Sequence, residues 1–122
     1  MSNLTSNICE GCRIDAPKVS DDEVNILLKE IDNWDLMNEG TKKLKKTFSF
    51  SSYKDSLDFT NKVADMADKE NHHPEITLEW RKVTVVWWSH KIQGLHKNDF
   101  ICASKTDIIE TQMRMQLSEV SS

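Results

Sequence analysis

All four histidines of this 122-residue chain, His72, His73, His90 and His96, fall between positions 72 and 96. Histidine is the one side chain whose unperturbed pKa lets it give or take a proton near neutrality. His72 and His73 are adjacent and precede Pro74, which disfavours helical geometry at the residue before it, so the pair sits at a helix exit. His90 follows a run rich in Val, Thr and Trp and closes a strand. The last carbonyls of a helix favour imidazolium, whereas a strand end presents a different field. One imidazole could then serve as acid and another as base, which is what general acid-base catalysis needs. Two plainer readings stand beside it. The pair could simply cap the helix while His90 finishes a strand. A zinc site is the other, but adjacent residues of an extended segment point to opposite sides and no spaced pair such as HExxH is present, so no metal is expected.

Two further groups invite chemistry. Cys9 and Cys12 enclose Glu10-Gly11 in a CxxC spacing. No second pair accompanies it and Glu10 disfavours a reactive thiolate, so no function is assigned to it. Trp87 and Trp88 are neighbours on a strand and face opposite ways. Parity groups Trp88 with His90, where an indole could wall a pocket for a flat ring.

The elements that must position these residues follow from pattern. Ser20 and Glu23 form a capping box ahead of Val24, Leu27, Leu28 and Ile31, predicting a helix over 21–31. Segments 33–37 and 43–50 flank the turn-forming Asn38-Glu39-Gly40 and predict a hairpin. Ser51 or Ser52 caps a second helix, with Tyr53, Leu57, Thr60, Ala64 and Ala67 as its stripe, ending near 71–73. Ile76, Leu78 and Trp80 alternate with polar residues as a half-buried strand, and 82–89 reads as a strand covered on both faces. Gly94 breaks the pattern before a last helix over 98–115, carried by Phe100, Ile101, Ser104, Ile108 and Ile109. Helix, hairpin, helix, hairpin, helix implies an α+β fold with helices packed on one face of the sheet. Residues 1–19 read as a flexible arm and 20–118 as one folded domain.

Composition narrows the function classes. Apolar residues make up 38% and charged residues 30%, enough for a core and too balanced for disorder. A net charge of -4 with dispersed Lys and Arg argues against direct nucleic-acid binding. No apolar run approaches the roughly 20 residues of a membrane span, and the first residues lack a secretory pattern. Three cysteines cannot all pair within one chain, which fits a reducing compartment, so a cytoplasmic location is expected.

Asn71-His72-His73-Pro74-Glu75, then Trp80, Ser89-His90, Gly94-Leu95 and Asp99, in this order and spacing, resemble the signature of the pterin-4a-carbinolamine dehydratase family. With Trp34, Phe48, Phe50 and Phe59 the resemblance covers about Ser20 to Asp107. The Cys-Glu-Gly-Cys-Arg arm before Ala16-Pro17, and Lys82-Val83-Thr84-Val85 with Trp87 to His90, are most similar to bacterial members that accompany phenylalanine hydroxylase. The resemblance implies a four-stranded antiparallel sheet with helices on one face. It implies dehydration of 4a-hydroxytetrahydropterin to quinonoid dihydropterin, in tetrahydropterin recycling for aromatic amino acid hydroxylation, with no metal or bound cofactor. Carried over, His72, His73 and His90 are catalytic. His72 and His90 exchange protons with the leaving hydroxyl and the ring nitrogen, and His73 positions the pterin. Asn71, Trp88, Ser89 and Lys91 flank the substrate together with the histidines, and Asp99 orients a histidine. A homodimer or homotetramer is implied as well.

Some positions depart from the animal members. Asp68 stands where glutamate is usual, Asn71 where aspartate often precedes the pair, and Ile76 where an aromatic can occur. His96 replaces a Ser or Thr that caps the last helix, so that cap is expected from Asn98. Two alternative functions follow: pterin binding without significant turnover, and, from the resemblance to animal members, a coactivator role in which the chain binds a transcription factor and stabilises its dimer. The second turns on whether Ile101, Ile108, Ile109 and Met115 make a core face or an interface stripe.

Overall fold

A computed structural model of the chain describes residues 19–31 and 33–121. The Cys9–Cys12 pair and nearly all of the predicted arm lie outside the described residues. Helix α1, Asp21–Leu28, starts at the predicted capping box: Ser20 Oγ accepts from the Glu23 N–H at 3.2 Å and Glu23 Oε1 accepts from the Ser20 N–H at 3.3 Å. It stops short of Ile31 because Lys29, Glu30 and Ile31 bond three residues back, a tighter 3₁₀-like turn. Ile31 is buried nonetheless.

Strands β1, Asp35–Glu39, and β2, Thr41–Ser49, run through most of the predicted turn and reverse at Gly40, whose φ of +88° is natural only to glycine. Helix α2, Tyr53–Glu70, is capped by Ser52, whose side chain accepts from the Asp55 N–H at 3.1 Å. Its buried face differs from the predicted stripe. Ser56, Phe59, Val63 and Ala67 face the core, while Tyr53, Leu57 and Ala64 are exposed. Both sets have helical spacing; the bulk of Phe59 decides which turns inward, since its ring packs 4.8 Å from Phe48 and 5.1 Å from Phe50.

Strand β3, Glu75–Leu78, is shorter than the alternation suggests. The Glu79 N–H bonds back to the Lys82 carbonyl, so Trp80 sits in the connecting turn, 71% exposed, with the Arg81 guanidinium 5.5 Å from its ring centre. Strand β4, Lys82–Trp87, buries Val83, Val85 and Trp87 on one face, whereas on the other Lys82 is exposed, Thr84 half-buried and Val86 alone buried, so the expected cover on both faces is only partial. Helix α3, Lys97–Ser121, is longer than predicted at both ends.

The four strands form one antiparallel sheet in the order β1-β2-β4-β3. Leu44 pairs with Trp87 and Phe48 with Val83, which places these buried side chains on the face that receives α2 and α3. The opposite face carries polar rows such as Thr47 beside Thr84, whose hydroxyls are 3.1 Å apart. The fold is therefore α+β, with the helices on one side.

Helix α3 is tied to the sheet through Asp107, which accepts from Trp34 Nε1 at 3.0 Å and from Lys46 Nζ at 2.7 Å. Burial pushes the Asp107 carboxyl above its ordinary value, an effect that outweighs the opposing hydrogen bonds from Lys46 and Trp34. No helix among the described residues is long and apolar enough to cross a membrane.

Candidate active site

The end of α2 sets the geometry. Asn71 caps the helix in the left-handed region, φ 52°, a conformation asparagine tolerates better than most residues. The His72 N–H then bonds to the Ala67 carbonyl at 3.1 Å, closing the helix end. After that reversal the chain is extended, and successive side chains diverge. His72 turns inward and is 6% exposed, whereas His73 turns to solvent.

The His72 ring stacks on Trp87, with centroids 5.4 Å apart and planes at 20°. Its Nε2 is 2.6 Å from Asp99 Oδ1. Asp99, fully buried in the first turn of α3, gathers two more donors on Oδ2: the Ser89 hydroxyl at 2.8 Å and the His96 backbone N–H at 2.9 Å. One carboxylate thus joins the exit of α2, the end of β4 and the start of α3. A carboxylate only accepts, so in this contact Nε2 of His72 is the nitrogen that carries the proton.

His90 lies beyond β4, in a turn held by the bridge between Ser89 and Gly94. Its exposed ring sits 4.2 Å from that of Trp88, the neighbour parity assigned to it. His90 Nε2 reaches the carbonyl oxygen of His73 at 3.3 Å. The imidazole that follows β4 therefore lies against the backbone of the histidine pair, while the His72 ring is buried on Trp87 and His73 turns to solvent. His73 Nε2 is 2.9 Å from Asp68 Oδ1, so the shorter carboxylate still spans the gap, with both groups exposed.

The remaining predicted site residues divide by depth. Ser89 is buried and its hydroxyl is engaged by Asp99. Asn71 and Lys91 are exposed. Trp88 is half-buried and carries the Lys43 ammonium 4.0 Å from its ring centre. Lys43 was not singled out from sequence; only the pairing of Leu44 with Trp87 brings it beside Trp88. The cap of α3 also differs from expectation. His96 Nδ1, not Asn98, is the acceptor, taking the Asn98 N–H at 3.1 Å. His96 followed three residues later by Asp99 has the form of a capping box written in unusual residue types.

Among the described residues no group of three or more His, Cys, Asp or Glu is placed to hold a metal ion. A groove of about 550 Å3 lies between α2 and α3, lined by Met66, Lys69, Glu70, Lys105, Ile109 and Met113 among others. None of the histidines lines it, and its Lys105 and Glu70 are paired with each other.

The family model for pterin 4 alpha carbinolamine dehydratase matches residues 17–109. The chain belongs to this family. A relative from Photobacterium profundum that carries the provisional name pterin-4-alpha-carbinolamine dehydratase is 55% identical over 108 residues, covering 88% of this chain and 96% of its own. A similarly named relative from Marinobacter nauticus is 52% identical over 108 residues, covering 88% and 97%. A crystal structure described as a transcriptional coactivator/pterin dehydratase from Brucella melitensis superposes with a TM-score of 0.72 at 26% identity, covering 76% of this chain and 98% of its own. A pterin dehydratase-like protein described as a RuBisCO assembly factor shares the fold, with a TM-score of 0.55 at 19% identity, over 63% of this chain and 88% of its own. The resemblance read from Asn71 to Glu75 and the residues after it is therefore borne out at the level of family and of α+β fold.

Proposed function

We propose that this chain dehydrates a 4a-hydroxytetrahydropterin to the quinonoid dihydropterin, with His72, His73 and His90 around the substrate. The observation that carries the reading is the meeting of His90 with the backbone of the histidine pair, 3.3 Å from the His73 carbonyl, beside a His72 oriented by Asp99. Loss of water from C4a needs a proton delivered to the hydroxyl and the N5 proton removed. His72, with Nε2–H engaged by Asp99, offers Nδ1 as the base for the N5 proton. His90, exposed beside the histidine pair, delivers the proton that lets the hydroxyl leave as water. One proton enters and one leaves, so the enzyme ends with His72 protonated and His90 neutral, and solvent restores both.

His73 positions the ring system, and Asn71, Trp88, Ser89, Lys91 and Asp99 complete the surroundings. In this role the protein serves cytoplasmic tetrahydropterin recycling alongside phenylalanine hydroxylase. Stopped-flow absorbance of a synthetic 4a-carbinolamine tests it: the protein should accelerate the decay, and His72→Ala and His90→Ala should each abolish the acceleration. Decay at the uncatalysed rate with the parent protein refutes the reading.

A second reading, self-association or a coactivator partnership, is favoured by the outer side of α3. Ile101 is core, whereas Ile108 and Met115 are 42% and 62% exposed. Light scattering on the parent and on Ile108→Lys separates an interface from a merely exposed side chain, since only an interface changes mass.

A further inference from the structure

We propose that His96 is a positioning residue: by capping α3 with its ring it holds the Asp99 carboxylate in the orientation that aims His72. The inference rests on the reading that His72 carries a proton in the reaction.

The geometry supplies the chain of cause. His96 is the residue before α3, and its buried ring accepts the Asn98 N–H at Nδ1, one of the helix-start donors that has no carbonyl of its own turn to bind. That contact fixes the backbone of residue 96, whose own N–H then points at Asp99 Oδ2, 2.9 Å away. The reciprocal pattern is that of a capping box, with imidazole and aspartate in place of hydroxyl and glutamate. Its consequence lies beyond the helix. Oδ2 is pinned by two donors, the His96 N–H and the Ser89 hydroxyl, which leaves Oδ1 directed at His72 Nε2. A hydroxyl rotates freely and a backbone N–H in a capped turn does not, so the His96 donor is the rigid half of the clamp. Without it the carboxylate can turn about its terminal bond, and His72 loses the partner that selects its tautomer.

His96 touches no reacting atom in this account; it acts through Asp99. A residue that only stabilises the helix would lower the melting temperature and leave the state of His72 unchanged. The test therefore reads both. In the parent, nitrogen NMR of the ring should show His72 with its proton on Nε2. His96→Ala should mix in the other tautomer and lower kcat about tenfold, less than the roughly 100-fold or more that outright loss of acid-base catalysis removes, because the competent tautomer is diluted and not abolished. KM should stay within about twofold, since ground-state contacts are untouched. His96→Thr, which returns a side-chain acceptor at the cap, should restore the His72 spectrum and most of kcat. If His96→Ala does not fold, His96→Gly takes its place, because glycine tolerates the cap conformation without supplying an acceptor. An unchanged His72 spectrum in the Ala or Gly variant overturns the inference, as does a folded Thr variant that restores neither spectrum nor rate. Should the parent fail to accelerate dehydration, the proposed function falls, and the nitrogen spectrum alone still decides the role of His96.

Discussion

His90 donates from Nε2 to the main-chain oxygen of His73 across 3.3 Å, so the turn after β4 is fastened to the segment leaving α2. The bond needs an N–H at that position but not a titrating ring. His90→Gln keeps a donor of comparable reach while removing the proton carrier. Under the proposed mechanism the dehydration rate should fall by about 100-fold or more, with the melting temperature close to that of the parent. Retained activity, read by stopped-flow absorbance, would remove His90 from the chemistry.

Which side of α2 enters the core can be tested by a pair of truncations. Phe59 is fully buried against Phe48 and Phe50, so Phe59→Ala should cost roughly 3–5 kcal/mol by urea denaturation. Leu57, 38% exposed two residues away, should change stability by no more than about 0.5 kcal/mol on truncation. Comparable losses at the two positions would contradict the observed helix orientation.

Asp107 gives the stability a pH dependence of unusual sign for a carboxylate. Burial raises its pKa from the ordinary 3.8, so the folded chain holds this proton more tightly than the unfolded chain does. Its contribution is fully present below the unfolded pKa and is lost as pH rises through the raised folded value. Asp107→Asn removes that slope. Relative to the parent, the variant should gain stability as denaturation is repeated from about pH 3 to pH 7, a range that brackets the usual aspartate value. A difference that runs the other way would mean that the bonds from Lys46 and Trp34 outweigh desolvation.

Much of the fold was legible because punctuation and period agreed: Ser20 with Glu23, Ser52, Gly40 and Pro74 mark element ends by backbone chemistry that needs no tertiary contact. The stripe on α2 was misplaced because two helical spacings compete there, and only the packing of Phe59 against Phe48 of β2 and Phe50 just beyond it settles the choice. Trp80 was read as buried because alternation cannot show where a strand gives way to a turn. Of the candidate site, the histidines stood out by type and proximity in sequence. The way Asp99 gathers Ser89, His96 and His72 did not, since those bonds reach across different elements and depend on register. Lys43 was hidden for the same reason.

The carboxylate that orients His72 is supplied from 27 residues further along the chain. No fragment ending before α3 can possess an aligned imidazole at that position, however well its sheet and second helix have formed. Under the proposed mechanism, competence for proton transfer would arrive late and abruptly during synthesis, when the final helix docks.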